Sequence, residues 1–202
     1  MKATEAKLLN FMQKSGQFII PIYQRTYSWT PKQCEQLWND ILRAGRSDTI
    51  PGHFVGSIVY VEKGLYSVSS IPQLLVIDGQ QRLTTISLLV AALAQALSDS
   101  EAVEGVSARK LVNYYLLNPE EDGELRYKLL LTQTDRETLT RIVANKPLPA
   151  ERSARIAENF AYFQDRIKNL LHELPAVYRG IAKLLIVDIA LNRDHDNPQL
   201  IF

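Results

Sequence analysis

The hydrophobic pattern of the chain changes period several times, and each change marks an element. Leu8, Leu9 and Met12 stand at helical spacing and predict a helix from about Glu5 to Lys14, ending near Gly16. QFII reads as a short strand stopped by Pro21, and IYQRTYSW as an aromatic-rich loop after it. Thr30-Pro31-Lys32-Gln33 is a helix start: a threonine cap, proline at the first position and glutamine at the third, as in a capping box. Cys34, Leu37, Trp38, Ile41 and Leu42 then fall on one face. HFVGSIVYVE, rich in branched and aromatic residues, predicts a strand, Lys63-Gly64 a hairpin turn and LYSV a further short strand. QLLVI reads as a buried strand. From Gln80 to Leu97 the pattern becomes helical, with Leu83, Ile86, Leu89, Val90 and Leu93 as the apolar face.

From Ser107 to Leu174 the periodicity predicts helices only. One is opened by a capping box at Thr134-Asp135-Arg136-Glu137. Another covers 151–172, with Ile156, Phe160, Phe163, Ile167, Leu170 and Leu171 at helical spacing. LLIVDIAL, near 184–191, reads as a late return strand. In RDHDNPQLIF, Asp196 or Asn197 caps a helix with Pro198 in its first turn. The chain stops at Phe202, one turn into that apolar helix, as expected of a C-terminally truncated domain. The fold class is α+β: an α/β part over 1–105 and a mostly helical subdomain over 106–202 that ends in the return strand.

Composition narrows the function. The 202 residues, 46% hydrophobic, are enough for a sizeable core. A net charge of +1, from 23 basic and 22 acidic residues, gives no global attraction to nucleic acid or membrane and leaves only a local basic cleft possible. Cys34 is the single cysteine, which rules out an internal disulfide and suits a reducing compartment. Three scattered histidines build no cysteine–histidine zinc cluster. The first residues are too polar for a signal peptide, and SLLVAALAQAL is shorter than the roughly 18 residues a membrane span needs. A soluble, cytoplasmic protein is expected.

The chemistry concentrates in VIDGQQRLTT, residues 76–85. Arg82 falls in the first turn of a helix that leaves a strand, where free N–H groups and the helix dipole favour an anion. Its guanidinium adds forked donors for phosphate oxygens. Gly79 permits close backbone approach, Gln80 and Gln81 donate and accept, and Asp78 suits Mg2+ through one carboxylate, or orients Arg82 or a water. Alternatively Asp78 is only a cap and Arg82 a solvated side chain; the residues alone leave both readings open. In PIYQRTYSW, Tyr23, Tyr27 and Trp29 flank Gln24 and Arg25, a composition for stacking on a base and gripping a phosphate, or equally for core packing. Gly56 interrupts a strand, as a bulge or a ligand approach, and His53 at its start is structural or faces a cleft. Asp194, His195 and Asp196 are adjacent and ill-placed to converge on one metal. No GxxxxGK, GxGxxG or HExxH motif occurs, and the sequence offers no classical nuclease centre.

IPIYQRTYSW, HFVGSIVY and VIDGQQRLTTI, in that order, resemble the N-terminal domain of GmrSD-type, modification-dependent restriction endonucleases, and IVDIALNRDHDNPQLIF is similar to the family's return strand and following helix. The resemblance implies a ParB/sulfiredoxin-like small mixed sheet with flanking helices. It implies nucleoside-triphosphate binding, and often hydrolysis, at the DGQQR turn. Asp78, Gln81 and Arg82 would be catalytic, with Asp78 on magnesium. Tyr23, Gln24, Arg25, Tyr27, Trp29, Gly56, Gly79 and Gln80 would bind the nucleotide. Full-length members use nucleotide state to license cleavage of modified DNA by a separate C-terminal, often HNH-type, nuclease domain, which this sequence lacks. The alternatives are a non-catalytic DNA-sensing module or a protein-interaction domain.

Overall fold

A computed structural model describes residues 1–14, 16–62, 71–97 and 102–191. The apolar strands found in the sequence form the middle of one mixed sheet. Its members are β1 (Lys2–Lys7), β2 (Gln17–Ile19), β3 (His53–Glu62), β4 (Gln73–Asp78), β7 (Leu129–Leu130) and β8 (Leu184–Leu191), in the order β1-β8-β3-β4-β2-β7. β8 runs parallel to β3, and β2 parallel to β4 and β7; β1 with β8 and β3 with β4 are antiparallel. Two-residue strands β5 (Ala102–Val103) and β6 (Val106–Ser107) form a separate ribbon. The sheet therefore draws strands from both sides of residue 105. The α+β class read from the pattern is the class the chain adopts.

Helices pack on the sheet: α1 (Leu8–Gln13), α2 (Pro31–Arg46), α3 (Gln80–Ala96), α4 (Ala108–Leu111) running into a π-helical turn, α5 (Gln133–Val143), α6 (Ala154–Lys168) and α7 (Leu174–Ala182). α2 starts where its capping sequence puts it, with Gln33 Oε1 accepting the Thr30 backbone N–H at 2.9 Å. Cys34, Leu37, Trp38, Ile41 and Leu42 are all buried on its inner face. α3 is the central helix. From Gln80 to Ala94 every residue but Arg82 is buried, so its apolar surface runs all round, as for a helix covered on every side. α4, α5 and α6 supply that cover. No described helix is long and apolar enough to cross a membrane.

Four expectations need correction. Residues 5–7 belong to β1 rather than to the first helix: their helix-forming alanine, glutamate and lysine are overridden by edge pairing with β8. The stretch after Ser107 is not all helix, since Leu129 and Leu130 pair with Phe18 and Ile19 in a strand too short to show a period. α5 begins at Gln133 with Thr132 as its cap, which places Thr134 and Asp135 inside the helix. Leu171 lies past α6 in a 3-10 turn and is exposed. The Lys63-Gly64 turn, the LYSV strand and the RDHDNPQLIF helix lie outside the described residues.

α2 and α7 cross backbone to backbone. A Cβ on Gly45 would sit 1.8 Å from the Ala176 carbonyl oxygen, and one on Gly180 would sit 2.1 Å from that of Ile41. Backbone cannot yield as a flexible side chain can. Gly180→Ala is therefore expected to destabilise the domain by about 2–3 kcal/mol through overpacking, measured by urea denaturation; an unchanged midpoint would refute the close crossing.

Candidate functional site

β4 ends at Asp78 and α3 starts at Gln80, so one residue makes the turn. Gly79 does so at φ +97°, where a side chain is strained, and a Cβ there would also lie 2.9 Å from Ile58 Cγ1 and 3.0 Å from the Ser57 carbonyl. The turn thus rests directly on β3. At that point β3 is irregular: Phe54 pairs with Leu185 but Ser57 with Val187, so one extra residue bulges out, with Gly56 at φ +113°.

The two glutamines after Gly79 face the 21–29 loop. Gln80 is buried and donates from Nε2 to the Arg25 carbonyl at 3.0 Å. Gln81, also buried, accepts on Oε1 from the backbone N–H groups of Ser28 (2.9 Å) and Trp29 (3.3 Å), and donates from Nε2 to the Thr26 carbonyl at 3.3 Å. Gln24 returns the connection, donating to the Ile77 carbonyl at 2.8 Å. Further anchors come from the helices. Asp135 accepts the Tyr27 backbone N–H at 2.7 Å, and Asn159 donates to the Trp29 carbonyl (2.7 Å) and the Tyr27 hydroxyl (2.9 Å). The Tyr27 hydroxyl also bonds to Thr85 at 2.8 Å. Burial raises the Tyr27 phenol above its ordinary range and pushes the nearby Cys34 thiol up to about 11, so both stay neutral.

Arg82 leaves this buried region. Its Nη1 donates to the Ser57 carbonyl at 2.8 Å and lies 3.8 Å from Asp78 Oδ2. The guanidinium crosses Gly56, where a Cβ would be 2.6 Å from Cζ. It lines a cleft of about 370 Å³ together with Trp29, Gln36, Asp40, His53, Phe54 and Gly56. Within the cleft, His53 Nε2 faces Asp40 Oδ2 at 3.3 Å, and Asp40 Oδ1 accepts from Arg43 at 2.9 Å.

The structure thus brings Arg82, Gly56 and Trp29 together on one cleft. Gly79, Gln80, Gln81 and Gln24 form the turn and the loop anchors behind it. Asp78 sits at the turn with 47% of its side chain exposed. Tyr23 and Arg25 project into solvent from the loop, whereas Tyr27 is in the core at 5% exposure. Sequence reasoning did not find Asp40, Gln36 or Phe54. Asp40 and His53 lie on different elements, and no spacing rule links them. Among the described residues no three His, Cys, Asp or Glu side chains cluster as for a metal ion.

The family model described as GmrSD restriction endonuclease, N-terminal domain, matches residues 6–202. The chain belongs to that family, which gives it a role in a restriction system. No curated protein matches it.

Gln81→Ala leaves the Ser28 and Trp29 N–H groups without their acceptor, at an expected cost of about 1–3 kcal/mol. Hydrogen exchange should rise at residues 26–29 more than in β8. Equal protection in wild type and variant would show that Gln81 does not hold the loop.

Proposed function

We propose that this domain binds a nucleoside triphosphate in the Arg82 cleft, in the cytoplasm, and that nucleotide occupancy regulates cleavage of modified DNA by a C-terminal nuclease part of the same restriction system. The observation that carries the reading is Arg82. In a stretch of helix otherwise wholly buried, it alone reaches the surface, and it crosses a glycine to line a cleft of ligand size. Its remaining N–H donors suit phosphate oxygens. Arg25, exposed on the neighbouring loop and in no ion pair among the described residues, lies outside the cleft wall and would have to reach a bound phosphate from there. Stabilisation of charge on the phosphates is then electrostatic, and slow hydrolysis follows if a water is oriented in line.

Gln81 serves this reading by position, since its amide is engaged by the loop backbone that carries Trp29. Asp78 fits a magnesium ion of the kind held by one carboxylate, waters and substrate phosphates, and does not fit an ion caged by protein alone. When bound, the ion would neutralise phosphate charge; Asp78 would hold it at the end of β4. The ParB-like ancestry of the sheet belongs to the same proposal.

A second reading is a non-catalytic DNA-sensing module, favoured by Ile22, Tyr23 and Arg25 standing exposed on one loop. Under it, DNA binding would fall steeply with salt and ignore nucleotide. The net charge of +1 weighs against it.

Triphosphate binding by calorimetry, and phosphate release, separate these readings. Arg82→Ala and Arg25→Ala are each expected to weaken triphosphate binding about tenfold or more, the loss of one charge-assisted contact, with the melting temperature of Arg25→Ala unchanged. Asp78→Ala should abolish the magnesium-dependent part of the thermal shift. Equal affinities in wild type and both arginine variants would sink the nucleotide site, and a magnesium shift that survives in Asp78→Ala would remove its role.

A further inference from the structure

The cleft extends beyond the arginine, and its far end carries different chemistry. Phe54 is 60% exposed on β3 and makes no ring contact among the described residues, although neighbouring positions of the strand pack inward. Its placement follows from the bulge: with an extra residue at Gly56, consecutive residues from His53 to Gly56 all line the cleft, where a regular strand would send alternate ones away. Opposite elements supply Trp29, whose backbone is fixed by Gln81 and Asn159, and Gln36, an exposed amide with no hydrogen-bond partner among the described residues. His53 faces Asp40 Oδ2 with Nε2 at 3.3 Å, and its Nδ1 has no partner among the described residues.

Two aromatic side chains, an amide and an imidazole with an open ring nitrogen make a surface for a flat heterocycle with polar edges, not for a second phosphate. From this the geometry points to a nucleobase subsite: the base of the bound nucleotide stacks on Phe54 and Trp29 and its edge is read by His53 and Gln36, while Arg82 takes the phosphates. This rests on the nucleotide reading of the cleft and adds which residues recognise the base. It places recognition on β3 and α2 rather than on Tyr23 or Tyr27, of which the first is out in solvent and the second is buried. Stacking on an aromatic face is tolerant of base identity, so the discrimination between bases falls to the two polar groups.

Calorimetric titration of the whole chain with ATP, GTP and inorganic tripolyphosphate tests it. The expected result is that at least one nucleotide binds about tenfold or more tighter than tripolyphosphate, at the lower end of what base stacking contributes. Phe54→Ala should remove most of that advantage and leave tripolyphosphate affinity unchanged; its exposure makes loss of folding no explanation, and an unchanged melting temperature checks this. His53→Ala should alter the ratio of ATP to GTP affinity. Arg82→Ala should weaken all three ligands alike. If tripolyphosphate binds as tightly as both nucleotides, or Phe54→Ala weakens tripolyphosphate equally, the subsite is overturned while an Arg82-dependent phosphate site stands. If none of the three binds, the nucleotide reading falls with it.

Discussion

The backbone of residues 25–29 lies in no helix and no sheet, and side chains satisfy many of its polar groups. That constraint organises the site. Gln80 and Gln81 meet it from α3, because an amide offers a donor and an acceptor on one short stem and the loop presents both N–H and C=O groups. A glutamate at Gln81 would accept from Ser28 but face the Thr26 carbonyl with a second acceptor. A lysine would do the reverse. Two of the polar residues in DGQQR therefore serve the protein's own main chain, while Asp78 and Arg82 keep partly exposed charged groups.

The same loop ties the helical half of the chain to the sheet. Asp135 on α5, Asn159 on α6 and Cys34 on α2 meet around Tyr27, whose ring is buried and whose hydroxyl stays protonated. Asn159 spends its Nδ2 on two partners and leaves Oδ1 without one among the described residues, an arrangement that costs about 1–3 kcal/mol for a buried acceptor. A network retained at that cost fixes where Trp29 stands, since the same amide holds the Trp29 carbonyl. Residues far along the sequence thus set the geometry of a cleft formed largely before residue 83.

Much of this was legible in the sequence. α2, β3, β4, α3 and β8 carry strong apolar patterns and clear caps, and each lies where its pattern puts it. β1 and β7 do not, for opposite reasons: β1 is an edge strand with polar residues on both faces, and β7 is too short to have a period. At the candidate site, the place of Arg82 in the first turn of α3 was legible, because the strand-to-helix change falls just before it. The service of Gln80 and Gln81 to the loop was not, because a loop's hydrogen-bond needs depend on where the chain brings it. The pairing of His53 with Asp40 was hidden in the same way, being made only when β3 lies against α2.

Two arginine–carboxylate pairs show why Arg82 is the residue left available. Arg46 meets Glu173 through two N–H groups at 2.7 and 3.0 Å, which lowers the carboxyl pKa and satisfies the fork; that pair fastens the end of α2 beside α7. Arg82 meets Asp78 at a single 3.8 Å approach, partly exposed, and its one short bond goes to a neutral carbonyl. A pair so loose and wet contributes at most about 1 kcal/mol. Under the proposed function, an anion with two oxygens in reach of the same fork would outbid it. Gly56 completes the case, because any side chain there would push the guanidinium out of the cleft wall. The bulge, the glycine and the weak pair together hold a cation in place without neutralising it, which is the condition an anion-binding cleft requires.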